Sequence, residues 1–275
     1  MAAKLPRLGY DPPDFPAAVE ARVKHASMLL LVNLRWHVAE TLHLHAAALR
    51  ALRALRGDAA ADTSPVTNDI RAAMKDASRA AMATSLYRVV LMQQAAKAAR
   101  QVASYTSRIV GVRVPVPSAA PEAFTVAAWA RAEEELDGLV DCAMGKFDAW
   151  LASDLPEEDI DDLLQDCEDK HARRWYGWLA LMVAWLHGQV TTASYRAGGV
   201  TRAMWVTERD ERVRPAHAAM HGTEYRLDGP PPLPAAYSSN HEDCWPGDDY
   251  GCRCQAKIIA FRRPSSLVAE DRDIA

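Results

Sequence analysis

The chain has 275 residues, enough to bury one large core or two modest ones. It is 49% hydrophobic and 25% charged, an ordinary globular balance. Five cysteines, an odd number, argue against a disulfide framework in a chain of this size.

The formal charge of −4 conceals a division along the sequence. Residues 1–111 hold 15 Lys/Arg against 8 Asp/Glu, residues 112–170 hold 4 against 16, and residues 171–275 hold 13 against 12. A basic segment followed by an acidic one predicts a bipolar surface or two helical elements that attract each other. The opening MAAKLPRLGYDPPDFP lacks the apolar run of a secretory signal.

Abundant alanine and sparse glycine favour helix. From Pro16 to Arg56 the apolar residues Leu31, Leu34, Val38, Leu42, Leu49 and Leu52 recur at helical spacing, and Gly57-Asp58 ends the run. A second helix is expected from Thr67 or Asn68 through Met74, Ala81, Tyr87, Leu91 and Val102 towards Gly111. VRVPVPSAAP, with three prolines, is expected to be extended. A third helix is predicted from Glu122 to about Ala152, with Leu136, Val140, Phe147 and Trp150 on one face. A fourth starts at Ser153 or Asp154 and carries Leu164, Trp175, Trp178, Met182, Trp185 and Val190, stopping at Gly198-Gly199. Trp175 to Tyr195 carries no formal charge, yet His187, Gln189, Thr191, Thr192 and Ser194 make its second half too polar for a bilayer centre. It reads as a buried helix in a soluble protein.

Beyond that glycine pair the texture changes. MWVT reads as a short strand, DERVRPAHAAMHG as a short helix with a glycine stop, and TEYRL as a second strand. A proline-rich loop follows, then CRCQAKIIAF as a strand and a polar tail. The predicted fold is mainly α: a long-helix region over 1–198, a small α/β domain over 199–261, and a tail over 262–275.

Arg50, Arg53 and Arg56 are spaced by three, and Arg71, Lys75 and Arg79 by four, so each trio shares a helix face. Such faces suit DNA phosphate or an acidic protein surface, although a solvated face needs no partner. No aromatic residues interleave them, which argues against base stacking. The acidic residues Glu133, Glu134, Glu135, Asp159, Asp161 and Asp162 form no calcium loop, since DIDDLLQDCEDKH lacks the central glycine. They read as a solvated or partner-facing helix. Trp175, Trp178, Trp185 and Trp205 read as core or interface packing. Cys142 and Cys167, inside helical patterns, read as small buried hydrophobes.

Asp210, His217, His221, His241, Cys244, Cys252 and Cys254 fall within 45 residues. Thiolate and imidazole together suit tetrahedral zinc, with His217, His241, Cys244, Cys252 and Cys254 as candidate ligands. CxC is not a common finger spacing, however, so no cofactor is expected and zinc stays the alternative. On the expected reading His217 anchors the loop by hydrogen bonds with Asp210, and the cysteines pack as small apolar groups. A catalytic Asp210–His217 pair lacks a nucleophile.

The order of these elements resembles the C-terminal signature of Mu F-like phage minor head proteins. The sequence has Trp205, Thr207, Asp210, Arg212, Arg214 and His217 in WVTERDERVRPAH, then Gly222, a proline-rich loop from Pro230 to Pro234, and a closing Cys252-Arg253-Cys254. The resemblance spans roughly residues 185–260. It departs from many members at Gly251, where they have Asn, and in lacking a histidine within the proline-rich loop. It implies a structural, non-enzymatic component of head morphogenesis, a minor capsid protein present in few copies. The implied place is the portal vertex and capsid interior of the virion, after assembly in the host cytoplasm. The implied partners are the portal and major capsid proteins, with double-stranded DNA a further candidate and no membrane. The alternative is a nucleic-acid-binding module with a zinc-stabilised C-terminal domain.

Overall fold

The computed structural model describes residues 16–56, 64–151, 159–207, 213–231, 245–247, 252 and 254–262. Five long helices precede a small sheet: α1 (Pro16–Arg56), α2 (Ser64–Thr84), α3 (Tyr87–Val110), α4 (Ala119–Leu151) and α5 (Asp159–Ala197). Then come β1 (Val200–Val206), α6 (Pro215–Ala219), β2 (Glu224–Arg226) and β3 (Gln255–Phe261). The mainly α architecture with a small C-terminal α/β region matches the sequence expectation. Among the described residues no helix is long and apolar enough to cross a membrane.

The single helix expected from Thr67 to Gly111 is two helices. The Ser85 hydroxyl donates to the Met82 carbonyl at 2.6 Å and accepts from the Tyr87 amide at 3.3 Å, so one side chain ends α2 and caps α3. Thr84 adds bonds back to the carbonyls of Ala80 and Ala81, both at 3.1 Å. The fourth predicted helix is first described at Asp159, and the start expected at Ser153 or Asp154 lies outside the described residues. Val112–Ser118 lies outside helix and strand, but α4 already begins at Ala119, so the last three residues of VRVPVPSAAP are helical, with Pro121 in the first turn where a missing amide costs nothing.

By contacts the chain gathers into two units, each assembled from separate stretches. One comprises Arg22–Val90 and Val126–Leu179. Its core takes Leu31, Leu34, Val38 and Leu42 from α1, Met74 and Met82 from α2, Leu136, Val140 and Phe147 from α4, and Leu164 and Trp175 from α5. Tyr87 meets Trp175 edge-on with centroids 5.7 Å apart, and Ser27 donates to the Tyr87 hydroxyl at 3.2 Å. Burial pushes the Tyr87 phenol up to about 12.

Cys142 and Cys167 correct the sequence reading. They form a disulfide between α4 and α5, with Cα atoms 5.8 Å apart. Periodicity places each on a helix face but cannot say which two faces meet. Glu135 is a second correction: it is buried, 1% exposed, not solvated. Its carboxylate lies 2.7 Å from His171 Nδ1 and is also bridged by Arg131.

The other unit comprises Met1–Ala21, Leu91–Thr125 and Ala180–Ala275. It holds the sheet, antiparallel in the order β2-β1-β3. In β1 Ala203 and Trp205 face inward while Arg202, Met204 and Val206 turn outward, the alternation of a sheet covered on one face. Cross-strand partners of the inward residues are Tyr225, Ala256 and Ile258. They join Ala103, Tyr105, Val110 and Val114 in one apolar cluster. Tyr195, at the end of α5, donates to the Ala256 carbonyl at 2.7 Å and so fixes β3 to the helix. Gly199 turns the chain from α5 into β1 with φ +72°, and its carbonyl accepts from Arg262 at 2.8 Å.

Candidate functional site

The site is built around the far end of β1. Trp205 is fully buried there. Its amide donates to the Thr223 carbonyl at 2.9 Å, and its own carbonyl accepts from Gly222 at 2.8 Å. Gly222 has φ +81°, a left-handed backbone that explains a glycine at this point of the motif. Thr207 follows the strand and donates its amide to His221 Nδ1 at 3.0 Å. The hairpin from β1 to β2 is thereby closed by motif residues.

Between those strands, α6 carries His217. Pro215 opens the helix at its first position, and Arg214 before it is extended (φ −61°, ψ 146°), as a residue preceding proline prefers. The helix has five residues and no side-chain cap, so packing must hold it in place. The His217 ring stands edge-on to Trp205, centroids 5.5 Å apart at 75°. Cys252 and Cys254 arrive from the other direction, just ahead of β3.

All three side chains are buried, and their ligand atoms lie within 4.8 Å of one another. His217 Nδ1 is 3.2 Å from Cys252 Sγ and 3.7 Å from Cys254 Sγ. The hydrogen bond from Cys254, joined by His217, outweighs burial and holds the Cys252 thiol at about 5. It is the one such group of potential metal ligands among the described residues.

Of the motif residues, Trp205, Thr207, Arg214, His217, Gly222, Cys252 and Cys254 fall in this unit; Asp210, Arg212 and Arg253 lie outside the described residues, as do His241 and Cys244. Arg196, in the YRAGG that leads into β1, donates to the Leu227 carbonyl at 2.9 Å and covers the ring of Trp245 at 5.0 Å, contacts its place in the sequence does not announce.

The basic trios are placed otherwise. Arg50 lies 3.6 Å over the Trp150 ring, while the side chains of Arg53 and Arg56 lie outside the described residues. Lys75 and Arg79 pair with Asp141 at 2.7 Å and Asp137 at 2.8 Å, and Arg71 lies 3.6 Å from Asp148. Here α2 meets the acidic face of α4.

Comparison with curated proteins and with solved structures finds no match. Comparison with family models matches residues 179–257, from the second half of α5 into β3, to the phage Mu protein F like proteins. Trp205, His217, Gly222, Cys252 and Cys254 all fall inside that span, so it is this C-terminal stretch that is similar to the phage Mu protein F like proteins.

Proposed function

We propose that the protein is a minor component of the phage head, seated at the portal vertex or on the capsid interior by protein–protein contacts of its helices. The family match supports a structural role in head morphogenesis. The observation that carries the finer reading is an apolar strip on α1. Met28, Leu29, Val32 and Trp36 share one side of the helix and are exposed, Leu29 by 51% and Trp36 by 62%. Leu30, Leu31 and Leu34 supply the helix's buried side, so the strip is surplus to the core. Large apolar residues left in water at helical spacing suit a protein partner, and the portal is the partner the family points to.

DNA contact has its own support. Lys97, Arg100 and Arg108 line an open groove of about 410 Å³ on α3 with Gln101 and Ser104. Phosphate contacts weaken steeply with salt, whereas apolar docking does not.

The test is quantitative mass spectrometry of purified virions and proheads, with portal pull-downs at low and high salt. The expected result is a few copies per head and salt-tolerant capture of the portal. Absence from both particles would sink the reading.

A further inference from the structure

We propose that His217, Cys252 and Cys254 form a structural zinc site, ligating through Nδ1 and two thiolate sulfurs. This goes beyond the head-assembly reading and does not depend on it.

The geometry is that of ligands around an ion. Zinc takes imidazole nitrogen at about 2.0–2.1 Å and thiolate at about 2.3 Å, which puts N and S about 3.5 Å apart across a tetrahedral angle. The two N···S distances, 3.2 and 3.7 Å, bracket that value. A single thiol hydrogen bond explains the arrangement less well. Nδ1 offers one lone pair, yet two sulfurs converge on it.

Both cysteines lie just ahead of β3, and both sulfurs reach His217 Nδ1 on α6, so the CxC spacing does not keep them apart. Two soft thiolates with one imidazole select zinc over magnesium or calcium. His217, Cys252 and Cys254 are 3%, 6% and 3% exposed, and as three of the four ligands of tetrahedral zinc they leave one position for a further ligand.

A metal here would add to the apolar cluster that packs the sheet against its helices. The sheet has three strands, one of them three residues long, and α6 is a single turn. Elements this short do not hold themselves together. Zinc at this point ties α6 to the start of β3, two elements more than 30 residues apart in sequence. Both sulfurs must be thiolates to bind the metal, so folding of this region and metal uptake are coupled.

The experiment uses the full chain, expressed with added zinc and purified without chelator. Elemental analysis is expected to give one zinc per chain, and the cobalt-substituted protein to show thiolate-to-cobalt absorption. H217A, C252S and C254S should each weaken zinc binding by more than the roughly 10–100-fold typical of losing an outer-shell partner. Because those variants risk misfolding, the wild-type chain carries a second readout. Zinc should shield Cys252 and Cys254 from alkylation in peptide mass mapping, and a chelator should remove the shield. Background zinc after both supplementation and refolding with the metal overturns the proposal. So does bound zinc that leaves the alkylation rates of the two cysteines unchanged.

Discussion

Glu135 is held inside a helical core by His171 and Arg131, with Arg174 Nε at 3.7 Å. Removing one partner of a buried ionic cluster leaves the rest uncompensated, at a cost of about 3–5 kcal/mol. Glu135→Ala should therefore lower the denaturation midpoint strongly, while Glu134→Ala, one residue away and exposed, should change stability by less than about 0.5 kcal/mol. Equal effects in urea titrations would show that the cluster is not what makes position 135 special. Gly199 offers a parallel test in the other unit. Its φ is +72°, and a Cβ there would run into the Arg262 carbonyl, so Gly199→Ala should cost about 1–3 kcal/mol. Neither residue announced itself. Glu135 stands second-last in a run of acidic residues whose other described members, Glu133, Glu134 and Asp137, are exposed or half-exposed, and only the arrival of His171 from α5 makes its site a cage.

At the scale of elements, the sequence was most informative where order is local. The bounds of α1 follow from a 3.6-residue period that ends in Gly57-Asp58; β2 and β3 fall inside TEYRL and CRCQAKIIAF, α6 takes only Pro215–Ala219 of DERVRPAHAAMHG, and β1 starts at Val200, four residues ahead of MWVT. The opposed charges of residues 1–111 and 112–170 are realised in part as the Lys75–Asp141 and Arg79–Asp137 pairs between α2 and α4. Exposed pairs of this kind contribute about 0–1 kcal/mol each, so they set register more than stability. Two features were illegible because each depends on which faces meet, the Cys142–Cys167 bridge and the convergence of two cysteines on His217, whereas the Ser85 break is local turn chemistry that a continuous helical period hid. The bridge closes a loop with a sequence separation of 25. Loop-closure entropy then gives about 3 kcal/mol in the oxidised protein. Thiol reduction, or the C142S/C167S pair of changes, should lower the melting temperature of oxidised protein by several degrees, and mass mapping should recover the Cys142–Cys167 peptide pair. No shift on reduction, with the bridge verified beforehand, would mean the loop is already restrained by helix packing.

At the scale of the whole molecule, the helical region carries more apolar surface than its core consumes, and the family-matched region carries a motif spent on its own closure. Among the described residues of the signature, Trp205, Thr207, Gly222 and His217 bond or pack within their own unit. Assembly contacts are therefore expected from the helices, and α1 is the place to test them. Trp36 is exposed, so Trp36→Glu should leave stability within about 0.5 kcal/mol of the parent. An aromatic anchor at an interface is commonly worth at least about 2 kcal/mol, or roughly 30-fold in affinity. Trp36→Glu paired with Leu29→Glu should accordingly reduce incorporation into heads more than tenfold, with helix content and melting temperature unchanged. Leu44→Glu is the control, since Leu44 is also exposed on α1 but stands two turns beyond Trp36. If Leu44→Glu abolishes incorporation and the strip variant does not, the docking face lies elsewhere on the helix. If neither variant alters incorporation, α1 is not the contact, and the half-buried Trp178 and Trp185 of α5 become the next faces to substitute.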